Sequence, residues 1–434
     1  MVNTTIEKYL GIQRVEDPLL GDWSFATEDT QYTTHRFHPY PARMVPQIAR
    51  RIILAFTNEE DVVLDPFCGS GTVLTESRLL GRNSVGIDIN PLAILIANTK
   101  ANPPSIEDVN NVLNRIKKQI NELRRYSNNE LKELTDIPKF TNINYWFKDY
   151  VILRLAALRV ILRRELEKED IKVSRFFWIC FAWTVRQVSS VRKREYKLYR
   201  LPQSELSRFK PDVYLDFLGI VKSYISGIRE FWNSISDIGK DCYAIAMLGD
   251  SRNIHLKDES VDLIVTSPPY GDSKTTVAYG QFSRLQLCWL GYNEKYVKSI
   301  DDISLGGRLD VPYVINVPSL KDTVTKIRKR DKRRALEAIR FYYGLWKCTE
   351  EMYRVLDRKG VMAIVIANRS IRRVRVPTHQ IVREYGEKLG MKHVRTVLRK
   401  ITRKRLPWEN APENIPGLKE RTMAEEHIVI LRKV

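Results

Sequence analysis

The sequence is poor in the residues that build disulfide frameworks and metal sites. Its 434 residues contain five cysteines, none of them in a Cys-x-x-Cys pair, and six histidines. Neither a disulfide framework nor a structural zinc site is indicated, and we expect reduced, mostly buried thiols. His35 and His38 are close in sequence, but no third ligand is near them, so we predict no metal site.

Long apolar runs and a secretory signal are also missing. No apolar stretch approaches the roughly 18 residues that a membrane-spanning helix needs, and the first residues lack a charged-then-apolar signal peptide. We therefore expect a cytoplasmic protein with no membrane partner. Hydrophobic residues make up 43% of the chain, enough for a normal core. The length predicts one large domain with a sizeable insertion, or two domains.

Acidic residues are scarce relative to basic ones. Lys and Arg number 72 against 52 Asp and Glu, which gives a net charge of +20 and an isoelectric point near 9.6. Such an excess points to a polyanionic partner, most simply nucleic acid.

The stretch from Val261 to Tyr270 is the one around which the rest of the chain is organised. Its β-branched run predicts a buried parallel strand, and two prolines then end the ladder because they lack a backbone donor. Ser267 and the carbonyl of Pro268 can each accept a hydrogen from an exocyclic amino group, and the ring of Tyr270 can stack on a flat base. A proline-rich turn capped by tyrosine is the alternative interpretation of these residues alone.

A second segment, residues 61–91, has the order strand, glycine-rich loop, helix, strand and acid. Gly69 and Gly71 allow the backbone to come close to a ligand, and Asp88 at the tip of the second strand is placed to hold two ribose hydroxyls. A dinucleotide fingerprint is disfavoured because Leu74 stands in place of its third glycine, and no Gly-Lys-Ser/Thr phosphate loop is present. A nucleoside ligand without phosphates fits better, and S-adenosylmethionine is the obvious candidate.

Residues 104–245 interrupt the α/β pattern with several basic helices. Basic residues interleaved with tyrosine at 191–200 predict a nucleic-acid surface, with solvated charge as the alternative. Residues 300–335 are predicted to form a long loop, in which the segment 321–334 holds eight Lys or Arg against two Asp. From these segments we expect substrate contacts by Arg192, Arg194, Tyr196, Lys197, Arg308 and Arg330.

The loop Asp65-Pro-Phe-Cys-Gly-Ser-Gly-Thr72, Asp88 and Thr266-Ser-Pro-Pro-Tyr270 together resemble the S-adenosylmethionine-dependent amino-methyltransferases of nucleic acids, which methylate cytosine N4 or adenine N6. The resemblance implies an α/β fold, a doubly wound Rossmann-like methyltransferase sheet with a mostly helical insertion. Residues 1–103 and 246–434 would form the catalytic domain, and residues 104–245 would recognise the substrate.

The resemblance also assigns roles to single residues. Ser267, Pro268, Pro269 and Tyr270 would form the catalytic loop. S-adenosylmethionine would be the cofactor, held by residues of the proline-rich segment, the glycine-rich loop and the strand ends, namely His38, Tyr40, Asp65, Phe67, Gly69, Gly71, Asp88 and Asp250.

The serine form of the catalytic loop is similar to that of the cytosine-N4 enzymes. The leading hypothesis is therefore N4 methylation of cytosine in DNA with base flipping. Adenine N6 in DNA, cytosine N4 in RNA such as ribosomal RNA, and a non-catalytic nucleic-acid-binding protein stay open. A carbon-5 enzyme would need a cysteine nucleophile, which this loop lacks. The implied partners are nucleic acid, DNA rather than RNA, and a cognate restriction enzyme.

Overall fold

The computed structural model describes residues 19–193, 195–271, 277–307, 309–311, 315–402, 409–410, 420–421 and 423–434. The strands, in chain order, are β1 (Val62–Asp65), β2 (Asn83–Asp88), β3 (Ala244–Leu248), β4 (Val261–Thr266), β5 (Leu356–Ile366), β6 (Arg369–Ile371), β7 (Val374–Val376), β8 (Lys392–Lys400), β9 (Glu409–Asn410), β10 (Glu420–Arg421) and β11 (Glu425–Arg432).

A single 3₁₀ turn, Thr33–Arg36, precedes the α-helices. These are α1 (Pro46–Phe56), α2 (Thr72–Leu79), α3 (Pro91–Ala101), α4 (Ile106–Leu123), α5 (Asn128–Glu133), α6 (Ile143–Trp146), α7 (Asp149–Leu166), α8 (Ile171–Val188), α9 (Gln203–Leu206), α10 (Val213–Ser234), α11 (Asp237–Asp241), α12 (Tyr279–Leu290), α13 (Glu294–Ile303), α14 (Pro318–Arg330), α15 (Lys332–Val355) and α16 (Thr378–Lys388).

Seven strands form the central sheet in the order β3-β2-β1-β4-β5-β11-β8. Strands β1 to β5 are parallel to their neighbours, whereas β11 runs antiparallel to both β5 and β8. The predicted doubly wound α/β sheet is thereby confirmed. The strand order reverses between β1 and β4, and such a switch point opens a crevice at the carboxyl ends of the strands.

Both faces of the sheet are covered by apolar cores. Alternate residues of a strand point to opposite faces, so Leu64 and Ile264 pack in one core while Val63 and Leu263 pack in the other. This double burial explains why the central strands are continuous apolar runs in the sequence. The switch point is consequently held between two packed layers.

Helices α4 to α11 occupy the region between α3 and β3, as the helical pattern predicts. Their buried centre includes Phe177 and Phe181 of α8. The same apolar cluster takes in Phe37 from the segment before α1, and Trp289 of α12. The helical region therefore shares a continuous core with segments that flank the sheet.

The predicted long loop over residues 300–335 is wrong. Helix α13 continues to Ile303, and α14 begins at Pro318, a favoured first residue of a helix. Leu320, Val324 and Ile327 lie at helical spacing and are buried, while the basic residues between them are exposed. The dense charge of this segment masked a narrow apolar stripe, which is enough to hold a surface helix.

Two further features bear on the sequence-based expectations. All five cysteines are free and buried. Among the described residues, no helix has both the length and the apolar content needed to cross a bilayer.

Candidate active site

A pocket of ≈ 910 Å³, which includes open space at its mouth, lies at the carboxyl ends of the parallel strands. Each of the four strands that meet there supplies a polar residue from its end. Asp65 closes β1, Asp88 closes β2, Asp250 follows β3 and Ser267 follows β4, and all four line the pocket. The topology thus brings together residues that are up to about 200 positions apart in sequence, as expected at a switch point.

The glycine-rich loop between β1 and α2 forms one wall. Gly69 has φ +47°, and its amide donates a hydrogen bond of 3.0 Å to Asp88 Oδ2. Gly71, with φ +78°, lies one residue before α2, where an added Cβ would come within 2.7 Å of Ala97 Cα. Phe67 and Gly69 line the pocket. Gly71 does not, and its role in the structure is to let α2 start close against α3.

Asp88 is held by backbone donors. Besides the amide of Gly69, the amide of Asn90 donates to Asp88 Oδ1 at 2.8 Å. Burial nevertheless raises the pKa of Asp88 to about 6. The carboxylate keeps unused lone pairs on the pocket side, where ligand hydroxyls can replace lost water as donors.

Asp65 ties β1 to β4 at the floor of the pocket. Thr266 Oγ1 donates to Asp65 Oδ1 at 2.6 Å, and the Phe67 amide donates to the same oxygen at 3.1 Å. Burial is the largest influence on this carboxyl and raises its pKa to about 7. Two partly desolvated carboxyls in one cleft are typical of a functional site.

The proline-rich segment before α1 closes another side. The Tyr40 ring lies 3.6 Å from the position that a Cβ on Gly69 would take, and its hydroxyl accepts from Asn90 Nδ2 at 3.1 Å. Tyr40 also stacks on Tyr279 of α12, with ring centroids 6.0 Å apart. Both tyrosines line the pocket, so they form an aromatic wall beside the glycine-rich loop.

The structure does not bring His38 into the pocket. Its ring is buried edge-on against Trp183 and Phe282, and burial lowers its pKa to about 3. Its backbone amide is engaged as well, since it donates to the Tyr224 hydroxyl at 2.7 Å. The neighbouring His35 faces Glu76, with 2.7 Å between Nε2 and Oε1.

Asp250 is paired with an arginine that the sequence analysis did not single out. Arg252 Nε lies 2.9 Å from Asp250 Oδ1 and 3.0 Å from Oδ2, and its guanidinium also donates to the Ile303 carbonyl. Both residues line the pocket. An Asp two residues before an Arg gives no distinctive signal, so the pair emerges only from the folded geometry.

The loop after β4 is fixed by a chain of hydrogen bonds. Ser267 and Pro269 line the pocket, whereas Pro268 and Tyr270 do not. The Ser267 hydroxyl lies 3.2 Å from the Tyr270 hydroxyl, which donates to Glu426 Oε1 at 2.8 Å. The ring of Tyr270 is half-buried against the core on one face of the sheet.

Glu426 is in turn held by a buried arginine. Arg399 of β8 forms an ion pair with Glu426 of β11, and only 6% of its side chain is exposed. Arg399 Nε also donates to the Trp23 carbonyl at 3.0 Å. The sequence analysis missed both residues, because an acid and a base on the two closing strands carry no motif.

The predicted substrate contacts lie in separate places. Arg192 is exposed at the start of a loop that closes through a bridge between Val191 and Arg200. Within it Lys197 is half-buried, and the Tyr196 ring packs edge-on against Phe282 of α12, the helix that begins with the pocket residue Tyr279.

The other predicted contacts are not part of this loop. Arg330 is exposed at the end of α14, and its Nη1 donates to the Arg372 carbonyl at 2.7 Å. Arg194 and Arg308 lie outside the described residues.

Comparison with known proteins gives a consistent result. Residues 12–99 match the family model of the N6/N4 DNA methylases. The chain is 35% identical over 425 residues to the type II methyltransferase M.MvaI of Kocuria varians, covering 94% of this chain and 93% of that protein. It is 24% identical to the type II methyltransferase M.BsoBI of Geobacillus stearothermophilus, over 62% of this chain and 55% of that one.

A solved structure was also found to be similar. The DNA modification methylase TTHA0409 of Thermus thermophilus, described in its title as putative and solved in complex with S-adenosyl-L-methionine, is 18% identical and has a TM-score of 0.22 over 43% of this chain and 53% of that chain.

Proposed function

Because the chain belongs to the S-adenosylmethionine-dependent DNA amino-methyltransferases, we propose that it methylates the exocyclic N4 amino group of cytosine in DNA. The observation that carries the proposal is the hydrogen-bond chain from Glu426 through Tyr270 to Ser267 at the mouth of β4. It turns a serine hydroxyl into an oriented acceptor, which is what an amino group requires.

The donor set of the pocket fits S-adenosylmethionine. Its volume is within the range of ordinary cofactor sites. We assign the ribose hydroxyls to Asp88, the methionine part to Asp65 and the loop from Phe67 to Gly69, and the adenine to the side that holds Asp250 with Arg252. When bound, the cofactor supplies an electrophilic methyl group on its sulfonium sulfur.

The direction of the hydrogen bonds at Ser267 follows from Glu426. An ionised carboxylate only accepts, so the single proton of the Tyr270 hydroxyl points to Glu426. The Tyr270 oxygen is then left to accept the proton of Ser267. The remaining lone pairs of Ser267 Oγ consequently face the pocket as acceptors.

An oriented acceptor addresses the main difficulty of amino methylation. The amino lone pair of cytosine is delocalised into the ring, so the nitrogen is a poor nucleophile. Acceptance of its hydrogens by Ser267 Oγ and the Pro268 carbonyl favours a pyramidal nitrogen, with the lone pair aimed at the methyl group. This is catalysis by orientation and electrostatics, without a covalent intermediate.

The target base must leave the duplex to reach this pocket. We assign the ring of Tyr270 to stacking on the flipped base. Its hydroxyl is anchored at Glu426, so stacking would use the ring face with the hydroxyl held in place. The loop of residues 191–200 borders α12 beside the pocket, and we propose that Arg192, Tyr196 and Lys197 contact the nucleic acid there.

The larger division of labour is also a proposal. Residues 1–103 and 246–434 would form the catalytic domain, and the helical residues 104–245 would recognise the target sequence. A DNA substrate would place the enzyme in the cytoplasm. A cognate restriction enzyme would be its functional counterpart, since the relatives are type II methyltransferases.

One labelling experiment tests the proposal. The purified protein is incubated with tritiated S-adenosylmethionine and unmethylated genomic DNA, and in parallel with unmodified ribosomal RNA. Each product is digested to nucleosides. Label in N4-methyldeoxycytidine is the expected result, and label in N6-methyldeoxyadenosine would move the target to adenine. Label only in the RNA product would contradict DNA as the substrate. Ser267→Ala is the matched inactive control.

A further inference from the structure

A two-stranded hairpin stands apart from the central sheet and presents arginine at its tip. Strands β6 and β7 pair with Ile371 opposite Val374, which leaves a loop of two residues, Arg372 and Arg373. Both have positive φ, +48° and +60°, as a type I′ turn requires. That turn strongly favours Asn-Gly, so arginine at both positions is conformationally costly.

The outer face of the hairpin is also basic. Ile371 and Val374 point inward and are buried, whereas Arg372, Arg373 and Arg375 are exposed. Local conformational preference disfavours the arginines at the tip, so what they contact is the better explanation for their presence.

The hairpin tip is joined to the junction of two basic helices. Arg330 at the end of α14 donates to the Arg372 carbonyl, and Arg372 Nε donates to Asp331 Oδ2 at 2.9 Å. Asp331 also caps α15 by accepting from the Arg334 amide. These bonds fix the tip against the helices, so the exposed basic side chains of the junction, Arg328, Lys329, Arg330, Lys332 and Arg333, form one surface with the hairpin.

This surface lies on the pocket side of the sheet. Thr266 pairs with Ile364, so the end of β5 is beside the Ser267 loop, and the hairpin starts shortly after β5 ends. Helix α15 runs from the junction back past the pocket, which its Cys348 lines. Lys332 is 16 residues before Cys348, about 24 Å along the helix axis. At about 3.4 Å per base pair, that distance corresponds to roughly seven base pairs of DNA.

We propose that the hairpin tip, Arg372 and Arg373, together with the α14–α15 junction, grips the phosphate backbone of the duplex that flanks the target base. The proposal rests on the DNA substrate proposed above. The surface offers rigidly placed guanidinium groups, which match phosphate geometry well. It lies one to two thirds of a helical turn of DNA away from the pocket, so its contacts are to backbone and independent of sequence.

The type I′ turn itself supplies a well-matched variant. Arg372→Asn with Arg373→Gly removes both guanidinium groups and installs the dipeptide that the turn prefers, so the hairpin should fold at least as well. Binding of a 30-base-pair duplex is measured by fluorescence anisotropy from 50 to 300 mM KCl. We expect the slope of log K against log salt to become shallower by about 1.8, and affinity at 0.1 M salt to fall about 60-fold, for two lost phosphate contacts.

A second variant and a control make the result specific. Arg373→Gly alone should give about half of the slope change. Lys257→Gln with Lys392→Gln removes the same charge at exposed positions near the amino ends of β4 and β8, at the opposite edge of the sheet. This control should leave the slope unchanged.

The outcomes separate this inference from the proposed function. Equal losses on duplexes with and without the target sequence support a backbone grip. An unchanged slope in the hairpin variant, a slope change as large in the control, or a loss confined to the target sequence would each overturn it. Binding is measured without methyl transfer, so a wild-type protein that grips DNA through the hairpin yet labels no DNA base would refute only the proposed function.

Discussion

Replacing Tyr270 with phenylalanine removes one hydroxyl and keeps the ring, and we expect this change to slow methyl transfer by up to about tenfold. The Tyr270 hydroxyl lies between Ser267 Oγ at 3.2 Å and Glu426 Oε1 at 2.8 Å. Without it, the Ser267 proton is no longer drawn away from the pocket. The serine would then donate towards the target amino group in part of the population, where it must accept.

The magnitude follows from the bond that is lost. A hydrogen bond between neutral groups contributes about 0.5–1.5 kcal/mol, which corresponds to about 2- to 12-fold in rate. Ser267→Ala removes the acceptor itself and should cost more, about 10²-fold, in line with the loss of one oriented group at an oxyanion-type site. The double variant should be no slower than Ser267→Ala, because Tyr270 would act only through Ser267.

The assay is single-turnover transfer of labelled methyl groups at saturating DNA and cofactor. Cofactor affinity is measured in each variant, and we expect it to stay near the wild-type value, which shows that the pocket is intact. If Tyr270→Phe slowed the Ser267→Ala enzyme by the same factor as the wild type, the two residues would act independently and the orientation argument would fail.

Three further predictions concern stacking, the cofactor site and the core. Tyr270→Ala should slow transfer by an additional factor of about 5 to 150 beyond Tyr270→Phe, because stacking on a base is worth about 1–3 kcal/mol; equal rates for the two variants would refute the stacking role. Cofactor affinity, measured by calorimetry, should weaken as the pH falls below about 6, where Asp88 becomes protonated and can no longer accept from both ribose hydroxyls. Asp88→Asn should bind weakly at every pH, and a wild-type affinity that did not change with pH would place the ribose elsewhere. Gly71→Ala should lower the free energy of unfolding by about 3 kcal/mol, since its Cβ would meet Ala97 and its φ is left-handed; an unchanged denaturation midpoint would contradict this contact.

A last prediction uses a buried amine. Lys100 Nζ is buried and has no hydrogen-bond partner among the described residues, and burial holds its pKa well below the usual value. Lys100→Met should therefore stabilise the protein by about 1–3 kcal/mol near neutral pH. The unfolded chain binds the proton that the folded amine releases, so wild-type stability should rise with pH towards about 10.4 and the advantage of Lys100→Met should shrink. Denaturant titrations at several pH values measure this difference, and an advantage that grew with pH would contradict a neutral buried amine.

Local patterns in the sequence were sufficient for the strands and for the loop motifs of the site. The apolar runs of β1, β2 and β4 are continuous because the sheet is covered on both faces, and the glycines of the first loop stand where the backbone has positive φ. These features depend on neighbours in the chain. The parallel sheet and the convergence of Asp65, Asp88 and Ser267 could therefore be anticipated from the sequence.

Tertiary packing decided what depends on residues distant in sequence. Glu426 contacts Tyr270 across 156 positions because β11 lies in the same sheet beside β5. His38 was drawn into an aromatic core formed with the helical region and not into the pocket. The basic segment after Pro318 became a helix because a narrow apolar stripe found a surface to bury it. In each case the deciding energy is a contact with a partner that the local sequence does not specify.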